Sequence, residues 1–156
     1  QERFMKVPMK AAGFAALSVS LSLSAFAVQA RDSVHYFPIK DAIEMGRAKG
    51  DLGDDVKFFF ADQKHPSIDV TITKGIVTNK KTNNVNKKDV AACNVAMLSA
   101  LIQLQHAARN VGANAVVNIE SFYKKESFRS DDNFECHAGS IMAGVALRGD
   151  VVRLKR

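Results

Sequence analysis

The sequence predicts an α+β domain in which one long central helix packs on a small antiparallel or mixed β-sheet, in the order strand, strand, helix, strand, strand. Three observations carry that expectation. Residues 89–112 place apolar or small side chains at intervals of three and four. A stretch before them alternates apolar and polar side chains with a period of two, and the stretches after them are runs of β-forming residues broken by the polar turn "RSDDN".

The chain has 156 residues and a formal net charge of +6. It opens with Lys6 and Lys10 around Met5 and Met9, then carries no charge from residue 11 to residue 30. A basic start, a short apolar centre broken by serines, and Val28 and Ala30 at the end predict a secretory signal peptide over residues 1–30, with cleavage near Ala30. Gln1 to Phe4 precede the first Met and are taken as upstream residues. The apolar core is shorter than the roughly 20 residues a bilayer span needs, so no transmembrane segment is expected in the mature form. No cysteine lies at the cleavage point, and the expected product is periplasmic or secreted without a lipid anchor.

Removing residues 1–30 takes away Arg3, Lys6, Lys10 and Glu2, which leaves a net charge of +4 on residues 31–156. Residues 31–55 read as an N-terminal arm, with a short helix capped by Asp41, running through Ala48 and ended by Gly50 and Gly53. Residues 56–156 are expected to form a single α+β domain, and its first strand is "VKFFFA", residues 56–61. A polar loop "DQKHP" follows. The second strand alternates Ile68, Val70 and Ile72 against Asp69, Thr71 and Thr73, with one face buried and a bend or bulge at Gly75.

The central helix takes Asp89 as its N-cap. It buries Cys93, Met97, Ala100, Leu101, Leu104, Ala108 and Val111, and it stops at Gly112. Residues 114–125 and 134–154 are the remaining β-rich runs. In the latter, Ala138, Gly139, Ser140, Ala143 and Gly144 permit close helix packing or a sharp bend in the strand.

The chain has two cysteines. Cys93 lies in the first turn of the helix on its apolar stripe. Cys136 lies early in the last strand, where its parity groups it with Ala138, Ser140 and Met142. An exported chain with an even cysteine count is expected to be oxidised, so a Cys93–Cys136 disulfide is the first reading. A second reading makes Cys93, Cys136, His106 and His137 metal ligands, although their spacing matches no paired zinc motif. A third makes Cys136, or Asp62 with His65, part of an enzyme site. His137 neighbours Cys136 but points to the opposite side of a regular strand, and Pro66 after His65 makes a turn the simpler reason for that loop. The sequence has no phosphate-binding loop, no dinucleotide fingerprint, no nucleophile elbow and no H-E-x-x-H motif. The expectation is a non-enzymatic binding protein without a cofactor.

Positive charge concentrates in residues 79–88, in "YKKE" and in "RLKR". Lys80, Lys81, Lys87, Lys88, Lys124 and Lys125 are the candidate binding residues. In an exported protein they point to an envelope protein or an anionic envelope component. No helix-turn-helix, finger or base-stacking motif accompanies the charge, so nucleic acid is not expected.

The segments "ACNVAMLSALIQLQHAARNVGANAVVNIESFYKK" and "FECHAGSIMAGVALRGDVVRL", together with "LGDDVKFFFADQKHP" and "VTNKKTN", resemble a group of small exported proteobacterial proteins of unknown function. Members often carry the transferred label "excinuclease ATPase subunit", which calls for the phosphate-binding loop this chain lacks. More distantly, the helix followed by "GANAVV" and a strand pair is similar to YbjQ-like putative heavy-metal-binding proteins and to RcsF-like envelope stress sensors. That resemblance implies a compact α+β domain. It implies a ring-forming homo-oligomer in the first case, and action through protein contacts in envelope homeostasis or stress sensing in the second.

Overall fold

The computed structural model describes residues 31–155. The expected signal peptide lies outside the described residues, as does Arg156. The elements run β1 (Ser33–Pro38), α1 (Ile39–Lys49), β2 (Lys57–Phe60), β3 (Ile68–Asn83), α2 (Asp89–Asn110), β4 (Ala115–Ser121), a short 3₁₀ turn (Tyr123–Lys125), β5 (Asn133–Ala138) and β6 (Met142–Leu154). The described residues form an α+β fold of six strands and two helices, the longer helix lying between β3 and β4.

β6 organises the sheet. One of its edges pairs along its whole length with antiparallel β3. The other edge forks: residues 143–144 pair with β5, and residues 147–152 pair with β4. β1 continues the first branch, antiparallel to β5, and β2 continues the second, parallel to β4. The sheet is therefore mixed. Three strands have one partner each among the described residues, namely β1, β2 and β3.

α2 lies along one face and is the heart of the core. Ala92, Cys93, Ala96, Met97, Ala100, Leu101, Leu104 and Ala108 are buried against Phe134, Cys136, Val145, Leu147 and Val151. The three-and-four spacing read from the sequence selects this stripe, except that Val111 is exposed beyond the helix end. Its length and apolarity would let α2 cross a membrane, but the stripe is consumed by the sheet, and burial there accounts for its composition. Gly112, at φ +67°, follows the last turn, and Ala113 N–H closes onto Ala108 O at 2.9 Å.

Several expectations need correction. The stretch expected to be a separate arm, residues 31–55, contributes β1 to the sheet and α1 to the core, so it belongs to the same folded unit. α1 starts at Ile39, ahead of Asp41, because Pro38 presets the entry angle and Ile39 N–H donates to Asp132 O at 2.8 Å. Asp89 is the first helical residue of α2, with Lys88 at the N-cap. Its carboxylate is drawn sideways to Asn84, His35 and Arg31 rather than onto the helix amides.

Ile68 and Val70 are exposed, so of that alternating series only Ile72 reaches the core, joined by Ile76 beyond Gly75. The reason is three interruptions of the β3–β6 register between Ile68 and Ile76, each of which breaks the two-residue period. Gly75, at φ +63°, sits in the last of them, as the sequence foresaw. The final β-run is a hairpin, with a turn at residues 139–141 between β5 and β6. Cys136 and Ala138 are buried, while Ser140 and Met142 lie in or beside the turn and are exposed.

α1 crosses α2 at Gly46. A Cβ there would lie 2.5 Å from Leu98 Cδ1 and 2.8 Å from Leu52 Cδ1, so any larger residue would displace those two leucine side chains. Gln105 on α2 is fully buried and ties down the following loop: its Oε1 accepts from Gly53 N–H at 2.8 Å, and its Nε2 donates to Asp51 O at 3.1 Å.

Candidate functional site

Cys93, one turn into α2, and Cys136 on β5 face each other through the core, with sulfurs at bonding distance, 2.04 Å, and Cα atoms 5.9 Å apart. Both are fully buried. Two sulfurs joined in this way are neither nucleophile nor metal ligand. His106 projects from the exposed side of α2, and His137 lies on the face of the sheet opposite the cysteines. The four candidate ligands therefore do not converge, and among the described residues no group of three His, Cys, Asp or Glu side chains is arranged to hold a metal ion. Asp62 and His65 also stay apart. Asp62 Oδ1 takes Arg129 at 3.0 Å, while His65 packs on Phe59 with Nδ1 2.8 Å from the Pro66 carbonyl. A turn closed by Gln63 N–H on Phe60 O explains this loop.

The outer face, away from α2, carries a constellation that the spacing did not reveal. Strand register places Val34, His137, Gly144 and Lys81 in one row across β1, β5, β6 and β3, with Tyr36 and Glu135 in the next. The 3₁₀ turn folds back over this row. Tyr123 stacks on His137 with centroids 3.6 Å apart and planes 12° from parallel. His137 Nε2 lies 3.0 Å from Glu135 Oε1, and Nδ1 lies 3.4 Å from Asp32 Oδ1. Lys124 and Lys125, both left-handed at φ +51° and +68°, turn the chain there. Lys124 Nζ is 3.9 Å from Asp32.

The stack divides two clefts. One, of about 260 Å³, is bordered by Lys81, Asp32 and Met142. The other, of about 410 Å³, is bordered by Val34, Tyr36, Lys124 and Glu135. Further along the same face, buried Glu120 is clasped by Arg148 (Nε to Oε1, 2.8 Å) and Arg129, and Arg148 lies 4.0 Å over the Phe122 ring. These contacts hold the excursion between β4 and β5 against the sheet.

The candidate lysines divide into two groups. Lys124 and Lys125 ride on the 3₁₀ turn. Lys80, Lys81, Lys87 and Lys88 lie on the second half of β3 and the turn into α2, Lys80 on the helix side of the sheet and Lys81 on the outer side. Lys74, on the same strand, belongs with them. From Val70 to Lys88 the chain has five lysines and no acid, a signal that was present in the sequence. The lysine ion pairs of the described residues are Lys57 with Asp54 and Lys124 with Asp32, so none of the five has a carboxylate partner there. They form a basic ridge along one unpaired edge of the sheet.

Elsewhere, electrostatics serve the fold. Asp89 is held below the usual carboxylate range, first by the Asn84 side-chain amide and then by the charges of Arg31 and His35, against the opposing effect of burial. Asp55 is lowered mainly by its paired hydrogen bonds from Arg109, at 2.7 Å each. Comparison with protein-family models, with curated proteins and with solved structures finds no match.

Proposed function

We propose that this chain is an exported domain, of the YbjQ-like and RcsF-like kind its sequence resembles, that binds a clustered-phosphate component of the cell envelope and does no catalysis. The observation that carries the reading is the ridge of Lys74, Lys80, Lys81, Lys87 and Lys88, none of them in an ion pair among the described residues and with no acid between Val70 and Lys88 along the sequence. A lysine beside an anionic surface contributes about 1 kcal/mol, and within a Debye length several act together. The Cys93–Cys136 pair supports an oxidising compartment, where a bond of this kind persists.

The test is capture by phosphatidylglycerol vesicles and by soluble polyphosphate across a salt series, so that a lipid surface and a free polyanion are distinguished. The variant Lys80→Gln/Lys81→Gln/Lys87→Gln/Lys88→Gln should lose about 4 kcal/mol of attraction, on the order of a thousandfold in affinity. Lys124→Gln/Lys125→Gln should bind nearly as the parent does. Equal binding by the ridge variant and the parent, or binding indifferent to salt, refutes the reading.

A further inference from the structure

A sheet edge is a row of unpaired amides and carbonyls, and proteins blunt such edges with lysine, bulges or brevity. Each of the three single-partner strands can be judged by that rule. β3 carries Lys74, Lys80 and Lys81 and three register interruptions. β2 is four residues long and has an interruption of its own. β1 has none of these, and its one proline, Pro38, stands at its last position: it pairs with β5 without a break over six residues, contains no Lys, Arg, Asp or Glu, and exposes Val34 at 47% and Tyr36 at 52%.

We propose that β1 is the edge through which two copies of this chain pair, antiparallel, about a two-fold axis at His35. The sequence "SVHYFP" is self-complementary in that register. Val34 meets Tyr36 of the second copy, Tyr36 meets its Val34, and the axis falls between the two His35 residues, which satisfies the reciprocity a two-fold interface demands. On the outer face the four apolar side chains become one strip, flanked in each copy by Phe128, whose ring centroid lies 4.5 Å from that of Tyr36. Cross-strand aromatic and β-branched pairs of this kind favour antiparallel association.

Because β1 and β3 lie on opposite sides of β6, the dimer leaves both basic ridges outward at its two ends. Two-point attachment to a polyanion then follows, although the dimer does not rest on that binding.

A six-residue edge buries less than a permanent interface, so association is weak and depends on concentration. The experiment is sedimentation equilibrium of the purified protein from about 5 µM to about 500 µM, a range that spans weak association. The parent's mass should climb toward twice the monomer. Val34→Lys should raise the dissociation constant by at least tenfold, and Tyr36→Glu, a second exposed site, should do the same with an unchanged circular-dichroism spectrum. Val77→Lys, at a position 51% exposed on β3, should dimerise like the parent. A constant monomer mass overturns the proposal and leaves the edge to a strand from another protein. Dimerisation unaffected by both β1 variants, or abolished by Val77→Lys, overturns it in favour of another surface.

Discussion

Replacing both cysteines by alanine, Cys93→Ala/Cys136→Ala, removes a link that closes a 43-residue separation. On the chain-entropy model a loop of that length restricts the unfolded state by about 4 kcal/mol at room temperature. A folded unit of roughly 125 residues has an unfolding entropy near 0.26 kcal/mol/K, so the loss corresponds to a fall in Tm of about 15 °C. The small cavities left by two fully buried sulfurs add to the effect. The double variant is the right comparison because a single one leaves a reactive thiol. The assay is reversible thermal unfolding followed by circular dichroism, with intact mass after denaturing alkylation to count thiols. The parent should accept two alkyl groups only after reduction. Native reduction should be slow, because neither sulfur is accessible until α2 separates from β5. A fall in Tm of less than about 4 °C, or two alkyl groups on the unreduced parent, would refute the reasoning.

Gln105→Leu leaves Gly53 N–H and Asp51 C=O without their buried partner, and should cost about 1–3 kcal/mol with faster hydrogen exchange at Gly53; unchanged exchange there would show that the loop is held by something else. Gly46→Leu forces a side chain into the space of Leu98 and Leu52 and should lower stability by about 1–3 kcal/mol in urea titration, so a neutral result would contradict the close helix crossing. Asp89 has a folded pKa depressed below its unfolded value, so its contribution is present above about pH 4 and disappears as pH falls through the folded value. Asp89→Asn should therefore flatten the acid limb of stability measured between about pH 5 and pH 3, and an identical acid slope in both proteins would count against the Asn84–Asp89–Arg31 cluster.

The outer-face constellation has a different status from the core. Tyr123 and His137 stack although they belong to different elements, and the left-handed Lys124 and Lys125 hold the turn that makes the stack. Left-handed backbone at two successive non-glycine residues is costly and persists only where surrounding contacts impose it. Here those contacts are the Glu120–Arg148 clasp on one side and the Tyr36–Phe128 ring pair on the other. The excursion between β4 and β5 is thus pinned at both ends, with the two clefts opening on either side of Tyr123.

Local pattern alone determined the α+β class, the buried stripe of α2 as far as Ala108, its stop at Gly112 and the bulge at Gly75, and with two cysteines in the chain only one internal pairing was open. A helix stripe is set by neighbours three and four residues away, so it is legible within one window of sequence. The lysines of β3 were equally legible, since charge and the absence of acid between Val70 and Lys88 require no fold to count. Tertiary structure decided the rest. β1 is a strand because β5, about a hundred residues later, supplies its partner, and "SVHYFP" has no alternation strong enough to announce that. Ile68 and Val70 face solvent because interruptions against β6 break the period that alternation assumes. Asp89 abandons the N-cap because Arg31 and His35 arrive beside it from the start of the described chain and Asn84 from the preceding loop. The single β-run of residues 134–154 divides because the turn at residues 139–141 folds β6 back against β5, while β3 takes the other edge of β6 from Met142 onward. Apart from Asn84 and the tight β5–β6 turn, the partners here are distant in sequence, and pairing energy at that distance overrides what a local window can hold.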